Sequence, residues 1–520
     1  MQFLKDENRI RKIFMFFLII QPILDIYILF TDDVVNFFKF SPSTIIRMLL
    51  IGILLIMVLL TTKFNKKYLW FILYGFLLLV YLVLHHINVT KFTFNPSSTY
   101  NYSKISELFY IIRMLLPYTV AFITYHVKLN KDQIYKIFMY FIISISATIV
   151  ITNILCLSIE SYSEGITLIK SNIFGWFFNY NYTNVDLSSK GIFTSANQMG
   201  SLLSLLLPIT ISYFFKREEN KKLTIITLVL QTLAVLMIGT RISSYSWILI
   251  YIVMIVIYIY YVLRKKFTFN KKIFVSYVGI LLFMFIIFTV APINMRKYAS
   301  DYKDVFVSME EKSEAEQKVL KDKLSGIKNS NDIEKKEVEK DIKKFIRKNY
   351  ENYSINKEYI MNIYSYKYDP VFWYYVMNLP FEERSDSRQI EQLITQHIYE
   401  QNNNKQDKWF GMGFSTFRNG NLYLEKDFKV HFYTLGLVGS LLLVYPYIIV
   451  IVIAGLYLLI KRRGKDNFMF LAYCFSISLM IIFGYVSGSV LDQLIITLIC
   501  GFILGLIIKN MLKGVEYEES

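Results

Sequence analysis

The chain has 520 residues, of which 54% are hydrophobic, and it contains 43 phenylalanines and 40 tyrosines. This composition excludes an ordinary soluble enzyme of that length and is typical of a protein that crosses a membrane many times. The formal net charge of +17 could indicate nucleic-acid binding, but the basic residues are concentrated in alternate loops between apolar segments. The charge therefore reports membrane topology, and nucleic acid is excluded as a partner.

Apolar segments of about 18 or more residues, long enough to cross a hydrocarbon layer of about 30 Å, recur along the chain. We count about twelve, near 13–30, 45–61, 68–86, 105–126, 134–157, 191–215, 222–239, 242–263, 273–292, 431–460, 467–486 and 489–508. We therefore predict an all-α polytopic membrane protein of about 12 transmembrane helices. Its predicted parts are nine helices in 1–292, a large and mainly helical extracytoplasmic loop domain in 293–430, and the last three helices with a cytoplasmic tail in 431–520.

Every second loop is basic, beginning with the residues that precede the first apolar segment. Because positively charged loops stay on the cytoplasmic side, this pattern predicts that both termini are cytoplasmic and that the large insert lies outside. The same topology brings most ionisable and amide side chains of the apolar segments to the outer half of the membrane: Asp25, Arg47, Glu107, Arg113, Asn197, Arg241 and Asp492.

A charge at the bilayer centre costs about 2.5–3.5 kcal/mol, so such residues usually face a partner or a cavity. Each of these side chains could be an interfacial charge or part of an ion pair that holds two helices together. Their shared depth favours a polar cavity that opens toward the exterior.

The end of the insert combines an amphipathic helix with a pair of acidic residues. Ile390, Leu393, Ile394 and Ile398 follow helical periodicity, so one face of this helix can pack on an apolar surface. Arg388 lies in its first turn, where a cation gains nothing from the helix dipole; the position suits anion binding, and equally an ordinary exposed arginine. Farther on, within 409–446, Glu425 and Asp427 precede a membrane-length segment, and we predict that the chemistry takes place there; the alternative is two solvated acids.

The chain resembles the O-antigen ligase and polymerase family of bacterial membrane glycosyltransferases over nearly its whole length. The motifs that carry the resemblance are QPILD in the first apolar segment, FTSANQMGSLLSLLLP in the sixth, GTR after the seventh, SR at 387–388, and GMG followed by LEKDFKVHFYTLGLVG. Ligases of this family have a histidine eleven residues before a GxxG sequence. Here Gly436 and Gly439 form the GxxG and Glu425 stands at that distance, which is similar to a Gram-positive branch with an E-x-D motif.

The resemblance implies a fold similar to the GT-C glycosyltransferases and an enzyme of the bacterial cytoplasmic membrane. Such an enzyme transfers a glycan from polyprenyl diphosphate to an acceptor hydroxyl, and we expect it to be inverting and metal-independent, with no cofactor. Its expected partners are the lipid-linked glycan donor, the glycan acceptor, the bilayer, and possible flippase and chain-length regulator proteins. We expect polymerisation of repeat units for an exopolysaccharide, capsule or cell-wall glycan, because glutamate replaces the ligase histidine and nothing in the sequence points to a lipid A acceptor.

Two steps of such a transfer require particular side chains. A diphosphate leaving group gathers negative charge, which arginine can stabilise bidentately, and Arg241 and Arg388 match the family's two functional arginines. The acceptor hydroxyl must lose a proton, for which Glu425 is the expected general base with Asp427 orienting it. The expected substrate-binding residues are Arg47, Arg113, Asn197 and His431, the last of which could also compete as the base; each could instead be structural.

Two alternatives remain open. The chain could be a ligase that moves a finished glycan to a terminal acceptor, because both reactions use the same donor and residues. It could instead be a transporter or flippase for lipid-linked oligosaccharide, although that class predicts internal repeats and charges near the midplane. No HExxH, GxSxG or Walker motif is present. Asp32 and Asp33 form an acidic pair that in some lipid-linked sugar transferases holds a divalent metal, but adjacent acids are more often a soluble turn.

Overall fold

The computed structural model of the chain describes residues 6–27, 41–62, 69–94, 96, 99–163, 165–178, 184–216, 219–294, 317–318, 332–460 and 468–513. Asp32 and Asp33 lie outside these residues. Within them the chain is almost entirely helical, and β structure is limited to three isolated bridges, Ile26 with Phe193, Ile159 with Leu168 and Glu160 with Ser189.

The longer helices of the described residues are α1 (Glu7–Ile20), α2 (Pro42–Thr61), α3 (Leu69–Val89), α4 (Lys104–His126), α5 (Lys131–Ile154), α6 (Ala196–Lys216), α7 (Lys221–Ile238), α8 (Arg241–Leu263), α9 (Lys271–Thr289), α10 (Asp332–Asn349), α11 (Pro370–Met377), α12 (Ser387–Asn402), α13 (Phe414–Asn419), α14 (Asp427–Leu443), α15 (Pro446–Ile460), α16 (Phe468–Val486) and α17 (Leu494–Lys513). Single turns of helix connect them at Ile173–Trp176, Asn184–Leu187, Phe381–Arg384 and Asp407–Phe410. Short 3-10 turns occupy Ile23–Asp25 and Tyr350–Tyr353, and a π-helical turn occupies Tyr359–Ile363.

Eleven helical segments in the described part of the chain are long and apolar enough to cross a membrane: α2 to α9, the continuous α14–α15 segment, α16 and α17. The protein is therefore a multi-pass, all-α membrane protein, which confirms the predicted fold class. The sequence predicts about twelve spans, and the difference lies at the first. There α1 ends at Ile20 because Pro22 has no amide to continue the hydrogen-bond ladder, and Asp25 lies in a 3-10 turn.

The turn between α7 and α8 also differs from the expectation, because Arg241 begins α8 rather than following α7 as a tail. Gly239 has φ of 66°, a left-handed conformation that ends α7 without a side-chain penalty. Thr240 then caps α8 by accepting the Ser243 amide at 3.3 Å. Likewise α17 begins at Leu494, so Asp492 lies in the turn before it.

Contacts within the chain define two compact units. The first comprises 1–69, 112–297 and 443–520. Its central helix is α6, which is buried along nearly its whole length and packs against α5, α7, α8 and α16. Small residues make this possible: a Cβ added at Gly200 would lie 2.9 Å from the Ser243 Cβ, so glycine is required for the close approach of α6 to the start of α8.

The second unit comprises 70–111 and 298–442 and has its own apolar core. Aromatic and isoleucine side chains of α10, α11 and α12 form this core, and Trp373 and Tyr364 at its centre are fully buried. Ile390, Ile394 and Ile398 of α12 point into it, as the helical periodicity predicts, while Leu393 is partly buried. Packing on this core fixes the orientation of α12, and with it the side chains on the opposite face of that helix.

Candidate functional site

The structure brings Arg388 and Glu425 together in the second unit. Arg388 lies in the first turn of α12, where the N-cap carboxylate of Asp386 accepts its backbone amide at 3.0 Å. Its Nε donates to the Oε2 of Glu425, which lies just before α14. The two side chains are 33% and 39% exposed, so a ligand can reach both of them. Lys429 of α14 also donates to Gln392 of α12, which makes a second link between these helices.

Glu391 is a further carboxylate of this cluster, and it is not among the predicted site residues. It follows Arg388 by three residues on α12, which brings the two side chains to neighbouring positions on the helix surface. The side chain is only 7% exposed, and the Tyr359 hydroxyl donates to its Oε1 at 2.6 Å. Burial raises the pKa of Glu391 to about 7 and the charge of Glu425 adds to this, while the Tyr359 hydrogen bond and Arg388 oppose it. The sequence signal that could have found Glu391 is the helical position of this carboxylate on the buried side of α12.

Asp427 and His431 differ from Glu425 in accessibility. Asp427 is the first residue of α14 and His431 lies about one turn later, and both are almost fully buried. The His431 Nδ1 lies 3.1 Å from the Tyr110 hydroxyl, and the Tyr110 ring stacks on Phe414 with 3.8 Å between centroids. Of the three side chains, Glu425 alone is therefore placed to meet a substrate from solvent.

The GxxG sequence breaks α14 at Gly436, where φ is 71°. A Cβ at this position would lie 2.5 Å from the Gly411 amide nitrogen, so the backbone of the GMG loop can approach only a glycine. The break leaves three backbone carbonyls without helical donors, and other groups donate to them. The Met412 amide donates to the Tyr433 carbonyl at 2.8 Å and the Gly413 amide to the Thr434 carbonyl at 3.0 Å. The Tyr81 hydroxyl donates to the Leu435 carbonyl at 2.9 Å. The two glycine motifs are thus one structural device that fixes the helix on which His431 lies.

Glu107 fixes the other side of the GMG loop. Its carboxylate accepts the amides of Phe414 and Ser415 at 3.0 and 2.8 Å, and so caps the start of α13. The His85 Nε2 lies 3.0 Å from the same carboxylate, and both side chains are almost fully buried. His85 is therefore a buried partner of this cap.

In the first unit, Arg47 is almost fully buried and its guanidinium is used within the protein. Nε donates to the Gln21 Oε1 at 2.7 Å, and two further nitrogens contact the Asp25 carboxylate at 3.1 and 3.0 Å. A further bond, at 3.2 Å, goes to the backbone carbonyl of Gln21, which also accepts the Leu24 amide of the 3-10 turn at 3.1 Å. Arg47 therefore binds the QPILD motif and clamps the end of α1. The substrate-binding role of Arg47 stays a prediction.

Arg241 and Asn197 lie at neighbouring helix ends of the first unit. Arg241 is the exposed first residue of α8 and Asn197 the half-exposed second residue of α6, and the close approach at Gly200 holds these two starts together. A cation at a helix start opposes the dipole, so α8 gains no stability from Arg241 there. Both remain candidate residues for an anionic ligand.

Arg113 of α4 donates to the backbone carbonyl of Asp492 and lines a small cavity, mostly apolar, that includes Met114, Pro117 and Tyr447. Among the described residues, no group of three or more histidine, cysteine, aspartate or glutamate side chains is arranged to hold a metal ion.

The predicted site residues are divided between the two units. The second unit contains Arg388, Glu425, Asp427 and His431, and the first contains Arg47, Arg113, Asn197 and Arg241.

These observations define a polytopic helical membrane protein whose large polar insert carries an accessible arginine–carboxylate pair. The family model described as "O-antigen ligase like membrane protein" matches residues 7–514. The chain therefore belongs to this family, which supports a membrane glycan-processing function and confirms the resemblance seen in the motifs. Comparisons with curated proteins and with solved structures gave no match.

Proposed function

We propose that the protein is a membrane glycosyltransferase that polymerises polyprenyl-diphosphate-linked oligosaccharide repeat units at the outer face of the bacterial cytoplasmic membrane. The product would be an exopolysaccharide, capsule or cell-wall glycan. The single observation that best supports this is the pairing of Arg388 with Glu425, because it joins an anion-binding group and a basic group in one accessible place. Family membership over residues 7–514 supports the lipid-linked glycan as the substrate class.

In the proposed reaction, Glu425 accepts the proton of an acceptor hydroxyl as the oxygen attacks the anomeric carbon of the donor. The bond between that carbon and the diphosphate oxygen breaks, and the lipid diphosphate leaves with the bonding electrons. Arg388 stabilises the charge that develops on the leaving group. Before substrate binds, Arg388 holds the Glu425 carboxylate. When Arg388 engages the diphosphate, Glu425 is released to act as a base.

The experiment is to delete the gene and analyse the lipid-linked intermediates. A polymerase predicts that single repeat units accumulate and long chains disappear. Long chains that accumulate on the lipid would indicate a ligase, and repeat units that a membrane-impermeant reagent cannot reach would indicate a flippase. Normal chain length in the deletion strain would exclude the proposal.

Complementation with Glu425→Gln tests the base. The amide keeps the size of the side chain but cannot take a proton, so we expect product to fall by about 10²-fold or more. Glu400→Gln is the matched control, because Glu400 is an exposed glutamate of α12 whose carboxylate accepts a hydrogen bond from Gln396 on the same helix. Product at the wild-type level with Glu425→Gln in the membrane would refute this assignment.

A further inference from the structure

Arg388 has two carboxylates beside it, and only one of them is bonded to it. Glu425 accepts its Nε–H, while Glu391 lies one turn along α12 and is held by Tyr359. The electrostatic influence of both Arg388 and Glu425 reaches the Glu391 carboxylate, so the three groups act on one another. Glu391 is buried, whereas the other two side chains are about one-third exposed.

The proton on Glu391 therefore sets the charge of the cluster. With Glu391 neutral, Arg388 and Glu425 cancel and the cluster has no net charge. With Glu391 ionised, two carboxylates face one guanidinium and the cluster has a net charge of −1. An incoming diphosphate must take Arg388 from these carboxylates, and it meets an additional negative charge in the second state.

We propose that Glu391 is a positioning residue, which acts through Arg388 and controls how readily this arginine leaves Glu425 for the diphosphate of the donor. This inference rests on the proposed function, since it takes Arg388 as the group that binds the leaving group. Glu391 does not touch the substrate in this proposal. Its buried position, with Tyr359 on one side and α12 on the other, keeps it behind the accessible pair.

The groups that face Glu391 determine when the control acts. These are Tyr359 from the π-helical turn, Glu425 from the segment before α14, and Arg388 from α12 itself. Because the pKa of Glu391 is raised to about 7, the neutral form prevails below this pH and the ionised form above it. Donor binding is thus favoured at mildly acidic pH and weakened at mildly alkaline pH.

The test measures binding of undecaprenyl diphosphate to the purified full-length protein in detergent micelles at pH 6 and pH 8. Glu391→Gln imitates the neutral form and can still accept the Tyr359 hydroxyl. We expect wild type and variant to have equal Kd at pH 6, and the variant to bind on the order of tenfold more tightly at pH 8. Titration of the ligand affects wild type and variant equally, so it cancels in the ratio of their Kd values. The same ratio at pH 6 and at pH 8 would overturn the proposal. Glu400→Gln is expected to keep the wild-type pH dependence.

Tyr359→Phe gives an independent measurement. Its hydroxyl lowers the pKa of Glu391, so its removal should move the pH at which binding weakens to a higher value. An unmoved midpoint would overturn the role of Glu391. The binding assay contains no glycan acceptor, so its outcome does not depend on the transfer reaction. Normal polymerisation together with the same ratio of Kd values at both pH values would exclude the role of Glu391 alone. Absence of polymerisation together with a ratio that changes with pH would exclude the proposed function alone.

Discussion

Arg47 and Arg388 each contact a carboxylate, but their settings in the two units are opposite. Arg47 is almost fully buried, and its bonds go to Asp25 and to both the side chain and the backbone of Gln21. Arg388 is one-third exposed, and its side-chain bond goes to Glu425, which is also accessible. An arginine–carboxylate pair thus clamps the end of α1 in one unit and forms an accessible pair in the other.

The difference in burial determines which arginine can exchange its carboxylate for another anion. A buried guanidinium that loses its acceptors leaves an uncompensated charge in a medium of low dielectric constant, so its bonds are expensive to exchange. A partly exposed guanidinium can exchange a carboxylate for a phosphate at little cost because water screens both states. The comparison can be tested by the free energy of unfolding, for which we expect three effects of decreasing size.

The largest effect is expected for Asp25→Ala, which removes the carboxylate but leaves Arg47 buried. Breaking a buried pair by removal of one partner costs about 3–5 kcal/mol. Chemical unfolding of the purified protein in detergent measures this cost. Arg264→Ala is the control, because Arg264 is exposed at the end of α8. A change below about 1 kcal/mol in Asp25→Ala would contradict the description of Arg47 as a clamp.

The second effect is a pH dependence of stability that Glu391→Gln should abolish. The ordinary pKa of a glutamate side chain is 4.5, and in the folded protein the pKa of Glu391 is about 7, so the folded state binds the proton more tightly. A raised pKa contributes stability at low pH that is lost as the pH rises from about 4.5 through about 7. The shift corresponds to about 3 kcal/mol, at 1.36 kcal/mol per pKa unit.

Thermal unfolding of wild type and Glu391→Gln between pH 5 and pH 8 measures this contribution. We expect the variant to gain stability relative to wild type as the pH rises. Parallel curves for the two proteins would show that Glu391 does not titrate in this range, and they would also weaken the proposed control of Arg388.

The smallest effect on stability is expected for Arg388→Ala. An exposed ion pair contributes about 0–1 kcal/mol, so the free energy of unfolding should change by no more than this. Product formation should nevertheless fall by about 10²-fold or more, because the leaving group loses a cation that acts in the transition state. Arg388→Lys keeps the charge without the bidentate fork and should give an intermediate rate. Loss of stability in Arg388→Ala comparable to that of Asp25→Ala would remove the contrast between the two arginines.

Much of the fold and part of the site could be predicted from the sequence. The length and apolarity of the segments predict the helices to within a few residues, as for Lys104–His126 and Arg241–Leu263. The motifs direct attention to Arg388 and Glu425, which the structure joins. The end of α1 was missed because the effect of one proline, Pro22, is lost in the average over an apolar window. Glu391 was missed because the periodicity of α12 was read for its apolar residues alone, although Glu391 lies on the same buried side of the helix.

By itself the sequence determined the membrane class, the helical fold and the positions of the two glycine motifs. The length of an apolar segment, its periodicity and the presence of a glycine are all properties of short segments. Only the tertiary structure decided that the loop at Gly411 pairs with the break at Gly436, that Glu107 caps α13, and that Glu391 lies buried behind Arg388. These features join residues that are far apart in the chain or depend on burial. A carboxylate becomes a clamp, a cap or a titrating group according to the water and the partners that the fold leaves around it.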